Sequence, residues 1–255
     1  MDYQAITFAI RNGVAIITLN RPEMMNALNT QMRAEITHAF KAAEKDARVV
    51  VLTGAGKAFC SGQDLGDGGN AAALDLERTL RDEYVPMLKA IFDCRIPTIA
   101  AVNGPAAGAG ANLALAADVV IASDAAYFVQ AFTRIGLIPD AGGTWTLPRQ
   151  VGEARAKGMA MLAEPVPAEK ALEWGLIWQV CDDDELMDDA HRLASRLSRQ
   201  PTKAFALIKQ SINASSSHGF DAHLAVEAKL QAEAAASHDY NEGVTAFLEK
   251  RKPVF

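Results

Sequence analysis

Cysteine is scarce in this chain, and its scarcity excludes two classes of protein. The 255 residues include three cysteines, Cys60, Cys94 and Cys181, which lie far apart in the sequence. So few and so scattered a set does not form the disulfide framework of a small secreted domain, and no cysteine and histidine have the spacing of zinc ligands. We therefore expect no metal site and a reducing, cytoplasmic environment.

An excess of positive charge and a long apolar run are also missing. The chain carries 25 Lys and Arg residues against 31 Asp and Glu residues, which gives a net charge of −6. This balance argues against binding to nucleic acid or to an anionic membrane surface. The N-terminus lacks the basic region of an export signal, and polar residues interrupt the most apolar region, 98–122, so we expect no membrane span.

What the chain does contain is enough apolar sequence for a large core, in alternating strand and helix patterns. Half of its residues are hydrophobic. Ile6 to Ile10 and Val14 to Leu19 flank an Asn-Gly pair, which predicts a β-hairpin, and Thr30 to Lys45 has the spacing of an amphipathic helix. Strand, strand and helix then recur. The sequence predicts an α/β core over residues 1–199 and a helical region over residues 200–255.

Glycine-rich turns follow two of the predicted strands. Gly62-Gln63 lies in the first turn, and Gly108-Ala109 lies in the second, within the small-residue stretch Asn103 to Leu115. A ligand oxygen can approach backbone N–H groups closely where side chains are absent. The two turns are either unrelated or aimed at one oxygen, because convergence in space cannot be seen in a sequence. Incomplete dinucleotide motifs and the absence of a Gly-Lys-Ser/Thr loop disfavour NAD and ATP.

Candidate side chains near these turns each allow two interpretations. Asp140 lies at the predicted start of a helix, where an aspartate is a cap or an acid/base. A helix terminus would lower its pKa, whereas burial would raise it. Tyr84 and Phe132 line an acyl pocket or fill the core. Cys60 has no nearby histidine in the sequence and no nucleophile elbow, so we interpret it as a buried thiol.

Several motifs together resemble the crotonase superfamily, also called the enoyl-CoA hydratase/isomerase family, over nearly the whole chain. These motifs are Asn20-Arg21-Pro22-Glu23, Asn26-Ala27-Leu28, Phe59-Cys60-x-Gly62-x-Asp64-Leu65, Ala101-Val102-Asn103-Gly104, Gly136-x-x-Pro139-x-x-Gly142-Gly143-Thr144 and Glu242-Gly243-Val244-x-Ala246-Phe247-Leu248-x-Lys250-Arg251. The resemblance implies a crotonase-like spiral of ββα units with a C-terminal helical trimerisation region. It further implies a homotrimer, or a dimer of trimers, that binds acyl-CoA thioesters.

The resemblance also implies which residues form the site. It places an oxyanion hole at the backbone N–H groups of Gln63 and Ala109, where two donors on the thioester oxygen would stabilise an enolate. It implies that six residues contact CoA, the last two of them reaching the CoA of a neighbouring subunit: Ala27, Ala58, Asp64, Leu65, Phe247 and Lys250. Because CoA is part of the substrate, no separate cofactor is expected.

Departures from the family pattern bear on the reaction. Hydratase members use two glutamates to activate water, and the corresponding positions here hold Asn112 and Phe132. The remaining carboxylate is Asp140, which matches the aspartate of dienoyl-CoA isomerase and dehalogenase members. Because one carboxylate suits a proton shuttle, the resemblance implies an acyl-CoA isomerase.

Five segments are most similar to the family members that convert the ring 1,2-epoxide of phenylacetyl-CoA to an oxepin-CoA in phenylacetate catabolism. These segments are Gln63-Asp64-Leu65, 103–111, 128–132, 136–149 and 174–180. The alternatives left open are a Δ3,Δ2-enoyl-CoA isomerase or an enoyl-CoA hydratase of fatty-acid oxidation and, in another class, a non-catalytic RNA-binding or assembly protein. The loose composition of Gly66 to Ala73 predicts a mobile loop.

Overall fold

The structure, a computed structural model, describes residues 2–67 and 75–255. Most of the predicted loop from Gly66 to Ala73 lies outside the described residues. The strands are β1 (Ile6–Arg11), β2 (Val14–Leu19), β3 (Val49–Gly54), β4 (Thr98–Val102), β5 (Ala106–Ala107), β6 (Val119–Ser123), β7 (Tyr127–Val129), β8 (Val166–Pro167) and β9 (Gln179–Cys181). The α-helices are α1 (Thr30–Asp46), α2 (Leu76–Thr79), α3 (Val85–Phe92), α4 (Ala109–Leu115), α5 (Gly143–Leu162), α6 (Ala168–Glu173), α7 (Leu186–Leu197), α8 (Thr202–Ser215), α9 (Phe220–Ala235) and α10 (His238–Leu248).

The chain opens with the predicted hairpin. Strands β1 and β2 pair antiparallel from Ile6 opposite Leu19 to Arg11 opposite Val14. The two residues between them, Asn12 and Gly13, have φ of 52° and 76°. Positive φ at both central residues is the requirement of a type I′ turn, which Asn-Gly meets with little strain. The predicted hairpin is confirmed.

A six-stranded sheet and a three-stranded sheet share the remaining strands. The large sheet has the order β1-β2-β3-β4-β6-β9, parallel from β2 onward, and the small sheet has the order β5-β7-β8. Two successive units each contribute one strand to each sheet: β4 and β6 belong to the large sheet, and β5 and β7 belong to the small sheet. Cys60, which follows β3, forms a parallel bridge to Ala106 of β5. The repeating units therefore stack in register.

Helices cover both faces of the large sheet. On one face Met32, Ile36 and Phe40 of α1 are buried in the main apolar cluster. On the other face three residues of α7, Leu186, Ala190 and Ala194, pack against the β-branched side chains of the central strands. Because both faces are covered, the central strands are apolar on both sides. The predicted α/β class is confirmed.

Helices α8 to α10 follow Gln200-Pro201 and make up the rest of the chain, as the sequence predicted. The division at residue 199 and the trimerisation role of these helices stay predictions. The run Leu176 to Val180 predicts a strand over its whole length, and this prediction needs a correction: β9 begins at Gln179, and Leu176 and Ile177 are buried in the turn after Gly175. Among the described residues, no helix is both long enough and apolar enough to span a bilayer.

Candidate active site

The two glycine turns singled out in the sequence meet in the structure. Gly62 has φ of +97°, and a Cβ atom on it would lie 2.8 Å from the carbonyl oxygen of Ala107 and 3.5 Å from the amide nitrogen of Ala109. Only glycine tolerates both this backbone angle and this approach. The bridge between Cys60 and Ala106 brings the turns together, because both continue from paired residues. The interpretation of two unrelated turns is therefore wrong.

The amides at this junction are available to a ligand. Gln63 forms a parallel bridge with Leu28. The hydrogen bonds of this bridge come from the Leu28 N–H to the Gly62 carbonyl at 2.8 Å and from the Asp64 N–H to the Leu28 carbonyl at 3.1 Å, so they do not use the Gln63 N–H. Ala109 is the first residue of α4, where no preceding turn accepts its N–H. Within the described chain neither the Gln63 nor the Ala109 amide has an acceptor. Two backbone donors at adjacent turns thus have no acceptor among the residues that the structure describes.

Asp140 lies in a tight turn that precedes α5. Its carbonyl accepts hydrogen bonds from the Gly143 N–H at 2.8 Å and from the Asn112 side chain at 2.8 Å. The next residues, Ala141 and Gly142, have φ of 49° and 83°, and α5 begins without a side-chain cap. The capping interpretation of Asp140 is therefore wrong. The turn holds its carboxylate free of the helix.

Burial controls the acidity of that carboxylate. The Oδ1 atom of Asp140 is buried and has no hydrogen-bond partner among the described residues. Burial raises the pKa of Asp140 to about 6, although its own backbone N–H lowers the value. A desolvated carboxylate favours its neutral form. Between the two effects that the sequence allowed, burial dominates, and the group titrates close to neutral pH.

Two buried side-chain amides, those of Asn112 and Gln130, support the turn that contains Asp140. Asn112 and Gln130 exchange hydrogen bonds at 2.9 and 3.4 Å, and both side chains are buried. Asn112 then uses an N–H on the Asp140 carbonyl, and a Cβ on Gly143 would lie 2.4 Å from that same nitrogen. Each polar atom of the Asn112 side chain is thereby satisfied, as burial requires. At this position Asn112 acts as a structural link and not as an acid.

Aromatic side chains flank the two turns. Phe132 is 7% exposed, and its ring lies 3.7 Å from where a Cβ on Gly108 would be. The Tyr84 hydroxyl donates to the Oε1 atom of Gln63. Burial raises the pKa of Tyr84, the Arg33 charge lowers it and the Asp140 charge raises it further. Both rings therefore lie beside the turns that carry the Gln63 and Ala109 amides.

Four of the residues predicted to contact CoA come together beside the Gln63 turn. The guanidinium of Arg21 donates to the carbonyl of Ala27 at 2.6 Å and to the carboxylate of Asp64 at 2.8 Å. The carbonyl of Ala58 accepts from the buried Asn26 side chain at 2.8 Å. Leu65 adjoins Asp64 and is 53% exposed. Their contact with CoA stays a prediction.

The other two predicted contacts lie in the C-terminal helices. Phe247 is in α10 and is 82% exposed. Lys250 follows the helix at φ of 55° and is also exposed. Both side chains are free to reach another molecule, and the prediction that they contact a neighbouring subunit's CoA stays a prediction.

Other reactive groups do not gather at the site. Burial raises the pKa of the Cys60 thiol to about 12, which keeps it protonated. Across residues 2–67 and 75–255, no three His, Cys, Asp or Glu side chains are close enough together to hold a metal ion. The described residues therefore offer the site two amides and the Asp140 carboxylate as its reactive groups.

Sequence reasoning missed two groups of supporting residues. Arg33 is a buried cation within the helix α1, and it donates to the Oε1 atom of Gln63 at 3.0 Å. Arg33 follows Met32, at the edge of the apolar face of α1. This position in the sequence was a signal that its side chain is buried. Gln130 is a polar residue directly after β7 and before the apolar Phe132. A single amide within such an apolar run indicates a buried hydrogen-bond partner.

Close approach of α4 to Cys60 fixes one of the free amides, which can be tested with Gly110. A Cβ on Gly110 would lie 2.3 Å from the Cys60 carbonyl oxygen, so we expect Gly110→Ala to lower the free energy of unfolding by about 1–3 kcal/mol. Denaturant unfolding measures this loss. Gly158→Ala is the matched control: nothing lies within 4 Å of its Cβ position, and we expect a gain of about 0.5–1 kcal/mol. Equal effects at both sites would contradict the packing argument.

The sequence and the fold are similar to those of known proteins. Residues 9–255 match the Enoyl-CoA hydratase/isomerase family. The chain is 58% identical to a protein of Rhodobacter capsulatus named probable enoyl-CoA hydratase, over 100% of this chain and 99% of that protein. It is 48% identical to the 1,2-epoxyphenylacetyl-CoA isomerase of Escherichia coli K12, over 96% of each. The solved structure of an enoyl-CoA hydratase from Polaromonas sp. JS666 superposes with a TM-score of 0.92 at 35% identity, covering 98% of this chain and 99% of that one. The predicted crotonase-like fold is confirmed, and the chain belongs to the enoyl-CoA hydratase/isomerase family.

Proposed function

We propose that this protein is an acyl-CoA isomerase that moves a proton with one carboxylate, Asp140, while the N–H groups of Gln63 and Ala109 hold the thioester oxygen. The observation that carries the proposal is the Asp140 carboxylate, whose buried Oδ1 atom has no partner among the described residues and whose pKa is about 6. A base with a pKa near the working pH is ionised for much of the time and still returns its proton readily.

The reaction has two proton transfers. The Asp140 carboxylate removes a proton from the α-carbon, and the C–H electron pair moves toward the thioester carbonyl to give an enolate. The two amides stabilise the negative oxygen; one such donor contributes about 3 kcal/mol in enzymes of this kind. Protonated Asp140 then delivers the same proton to a carbon further along the conjugated system, and the electrons return from the oxygen. No proton is gained or lost overall.

We propose 1,2-epoxyphenylacetyl-CoA as the substrate. The identity to the E. coli isomerase supports this choice, as do Phe132 and Tyr84, whose buried rings offer apolar surface beside the turns. Once the epoxide has opened to the seven-membered oxepin, a proton need only move from the α-carbon to the ring. Ala27, Ala58, Asp64 and Leu65 would bind the CoA portion, and no cofactor besides that CoA is required.

Hydration of a 2-enoyl-CoA is the second candidate, because the R. capsulatus relative carries a hydratase name. In hydratase members a second carboxylate activates water. Here the two corresponding positions hold Asn112, whose side chain is engaged by Gln130 and the Asp140 carbonyl, and Phe132, which is apolar. Neither side chain can accept a proton from water. The lack of a second carboxylate favours isomerisation.

Replacing Asp140 tests the proton shuttle. We expect Asp140→Asn to lower kcat for epoxide-CoA isomerisation by about three orders of magnitude, because the amide cannot accept the α-proton. Stopped-flow absorbance of the product measures the rate. Asp93→Asn is the control, since Asp93 is a surface carboxylate paired with Lys89, and it should retain full activity. Turnover of Asp140→Asn close to that of the wild type would reject the assignment.

The pH profile provides an independent signature of Asp140. Because the base must be ionised, kcat/KM should rise with pH through a midpoint near 6, and this step should be missing from the residual rate of Asp140→Asn. Stability should change in the opposite direction. A folded pKa raised from 3.8 stabilises the fold at acidic pH, and that stability is lost as pH rises through about 6. At pH 7.5 we therefore expect Asp140→Asn to unfold at the same or a higher temperature than the wild type.

Substrate comparison separates the two candidate reactions. We expect kcat/KM for epoxide-CoA isomerisation to exceed kcat/KM for water addition to crotonyl-CoA by about a hundredfold or more, since each missing acid/base group costs at least that much. A Δ3-enoyl-CoA, assayed in parallel, tests the fatty-acid isomerase alternative. Faster hydration than isomerisation would show that water is activated without a second carboxylate and would overturn the proposed reaction.

We also propose that the chain assembles as a homotrimer or a dimer of trimers. Supporting this, α8 to α10 expose large apolar side chains that would otherwise face water: Ile208, Ile212, Phe220, Phe247 and Leu248. Sedimentation equilibrium should give a mass three or six times that of one chain. Ile212→Glu should shift it toward the monomer, whereas Leu162→Glu, an equally exposed apolar position on α5, should not. A monomeric wild type would contradict the proposal.

A further inference from the structure

Arg33 is a buried cation that the proposed reaction does not use. Its side chain is 2% exposed. Its Nε and Nη2 atoms donate to Glu83 at 3.0 and 2.6 Å, Nη1 donates to the Leu28 carbonyl at 2.6 Å and to Gln63 at 3.0 Å, and Nη2 also donates to Thr30 at 3.0 Å. Every guanidinium N–H therefore has an acceptor. Removing a guanidinium from water is unfavourable unless its hydrogen bonds are replaced, and these five contacts replace them.

The hydrogen bonds of Arg33 converge on the residue that presents one of the two free amides. The Oε1 atom of Gln63 accepts from both Arg33 and Tyr84, and its Nε2 atom donates to the Asp64 carbonyl at 3.2 Å. Arg33 also binds the Leu28 carbonyl, which accepts the Asp64 N–H. Side chain and flanking backbone of Gln63 are thus fixed by the same guanidinium.

Tyr84 contacts both members of this arrangement, Arg33 and Gln63. Its ring lies with its centroid 5.0 Å from the Arg33 guanidinium carbon, which is cation–π distance. The residue belongs to a π-helical turn, Leu80–Tyr84, between α2 and α3. Such a turn changes the direction of a helical side chain by widening one turn. Here both Tyr84 and Glu83 of this turn contact the same cation.

We propose that Arg33 is a positioning residue for the Gln63 amide. This inference rests on the proposed function. An oxyanion donor must lie within about 2.7–3.1 Å of the developing charge. The peptide that carries the Gln63 N–H is held through its carbonyl, that of Gly62, which accepts from the Leu28 N–H at 2.8 Å. Rotation of that peptide would turn the N–H away from the thioester oxygen. Arg33, acting through the Gln63 side chain and the Leu28 carbonyl, prevents this rotation.

The vibrational frequency of a bound carbonyl tests the proposal directly. Phenylacetyl-CoA, labelled with 13C at the thioester carbonyl, is the probe; it cannot isomerise. With the wild type, difference infrared spectra should show the carbonyl stretch at a lower frequency than in water, because two donors polarise the bond. With Arg33→Met we expect most of this shift to be lost. For the epoxide substrate kcat should fall about ten- to a hundredfold, and KM should change less than threefold.

Two further variants separate positioning from folding. Gln63→Leu keeps the backbone N–H and removes one of the two acceptors through which Arg33 acts, so it should lose part of the carbonyl shift. The Arg33→Met/Gln63→Leu double variant should lose no more than Arg33→Met alone, since Arg33→Met already removes the link to the Gln63 side chain. Arg48→Met is the matched control: the Arg48 guanidinium donates to the carbonyls of Ser198 and Gln200 at 2.6 and 2.8 Å, at the end of α7. It should lower the unfolding temperature and leave the carbonyl shift intact.

The outcomes distinguish this inference from the proposed function. A full carbonyl shift and full kcat in folded Arg33→Met, or in Gln63→Leu if Arg33→Met does not fold, would overturn the positioning role alone. A wild type that shows no carbonyl shift would instead overturn the oxyanion hole, and the positioning role with it. Loss of the shift in Arg33→Met and partial loss in Gln63→Leu, with the shift retained in Arg48→Met, would support both.

Discussion

Close backbone packing between successive ββα units is the constraint on which the rest of this structure depends. Cys60, Ala106 and Phe128 pair in parallel across three units. The pairing requires glycine on both sides, because a Cβ on Gly62 or Gly110 would meet a backbone oxygen at 2.8 or 2.3 Å. A side chain at either glycine would push these main chains apart and so separate the two turns. The small residues therefore allow the main chains of successive units to approach closely, and this approach brings the Gln63 and Ala109 amides to adjacent turns.

The site is maintained against unfavourable local free energy. In the part of the chain that the structure describes, one carboxylate oxygen of Asp140 is desolvated and has no partner. Ala141 adopts a left-handed backbone angle that costs on the order of 1–2 kcal/mol in a residue with a Cβ. The amide pair of Asn112 and Gln130 opposes both tendencies by fixing the Asp140 carbonyl. Strain and burial at one turn are thus balanced by hydrogen bonds from a rigid neighbour, as is common where chemistry takes place.

Backbone and side chains divide the chemistry between them. The amides of Gln63 and Ala109 belong to the main chain, so they persist wherever the glycine turns persist. The carboxylate belongs to one side chain and changes with one substitution. Relatives that share the frame can therefore carry names for different reactions, as the two described above do. Family membership follows from the frame, whereas the reaction has to be argued from Asn112, Phe132 and Asp140.

The sequence by itself determined the local elements and the family. The Asn12-Gly13 hairpin, the amphipathic α1 and the apolar strands followed from turn chemistry and periodicity, which act over a few residues. The motifs identified the family before any coordinates. The interpretations that sequence left open were decided by tertiary structure, because they depend on distance between segments far apart in the chain. Convergence of the Gln63 and Ala109 turns required the pairing of stacked units, and the acidity of Asp140 required burial by elements around it. Arg33 remained unnoticed for the same reason: its partners Gln63 and Glu83 lie 30 and 50 residues away, and no local pattern connects them.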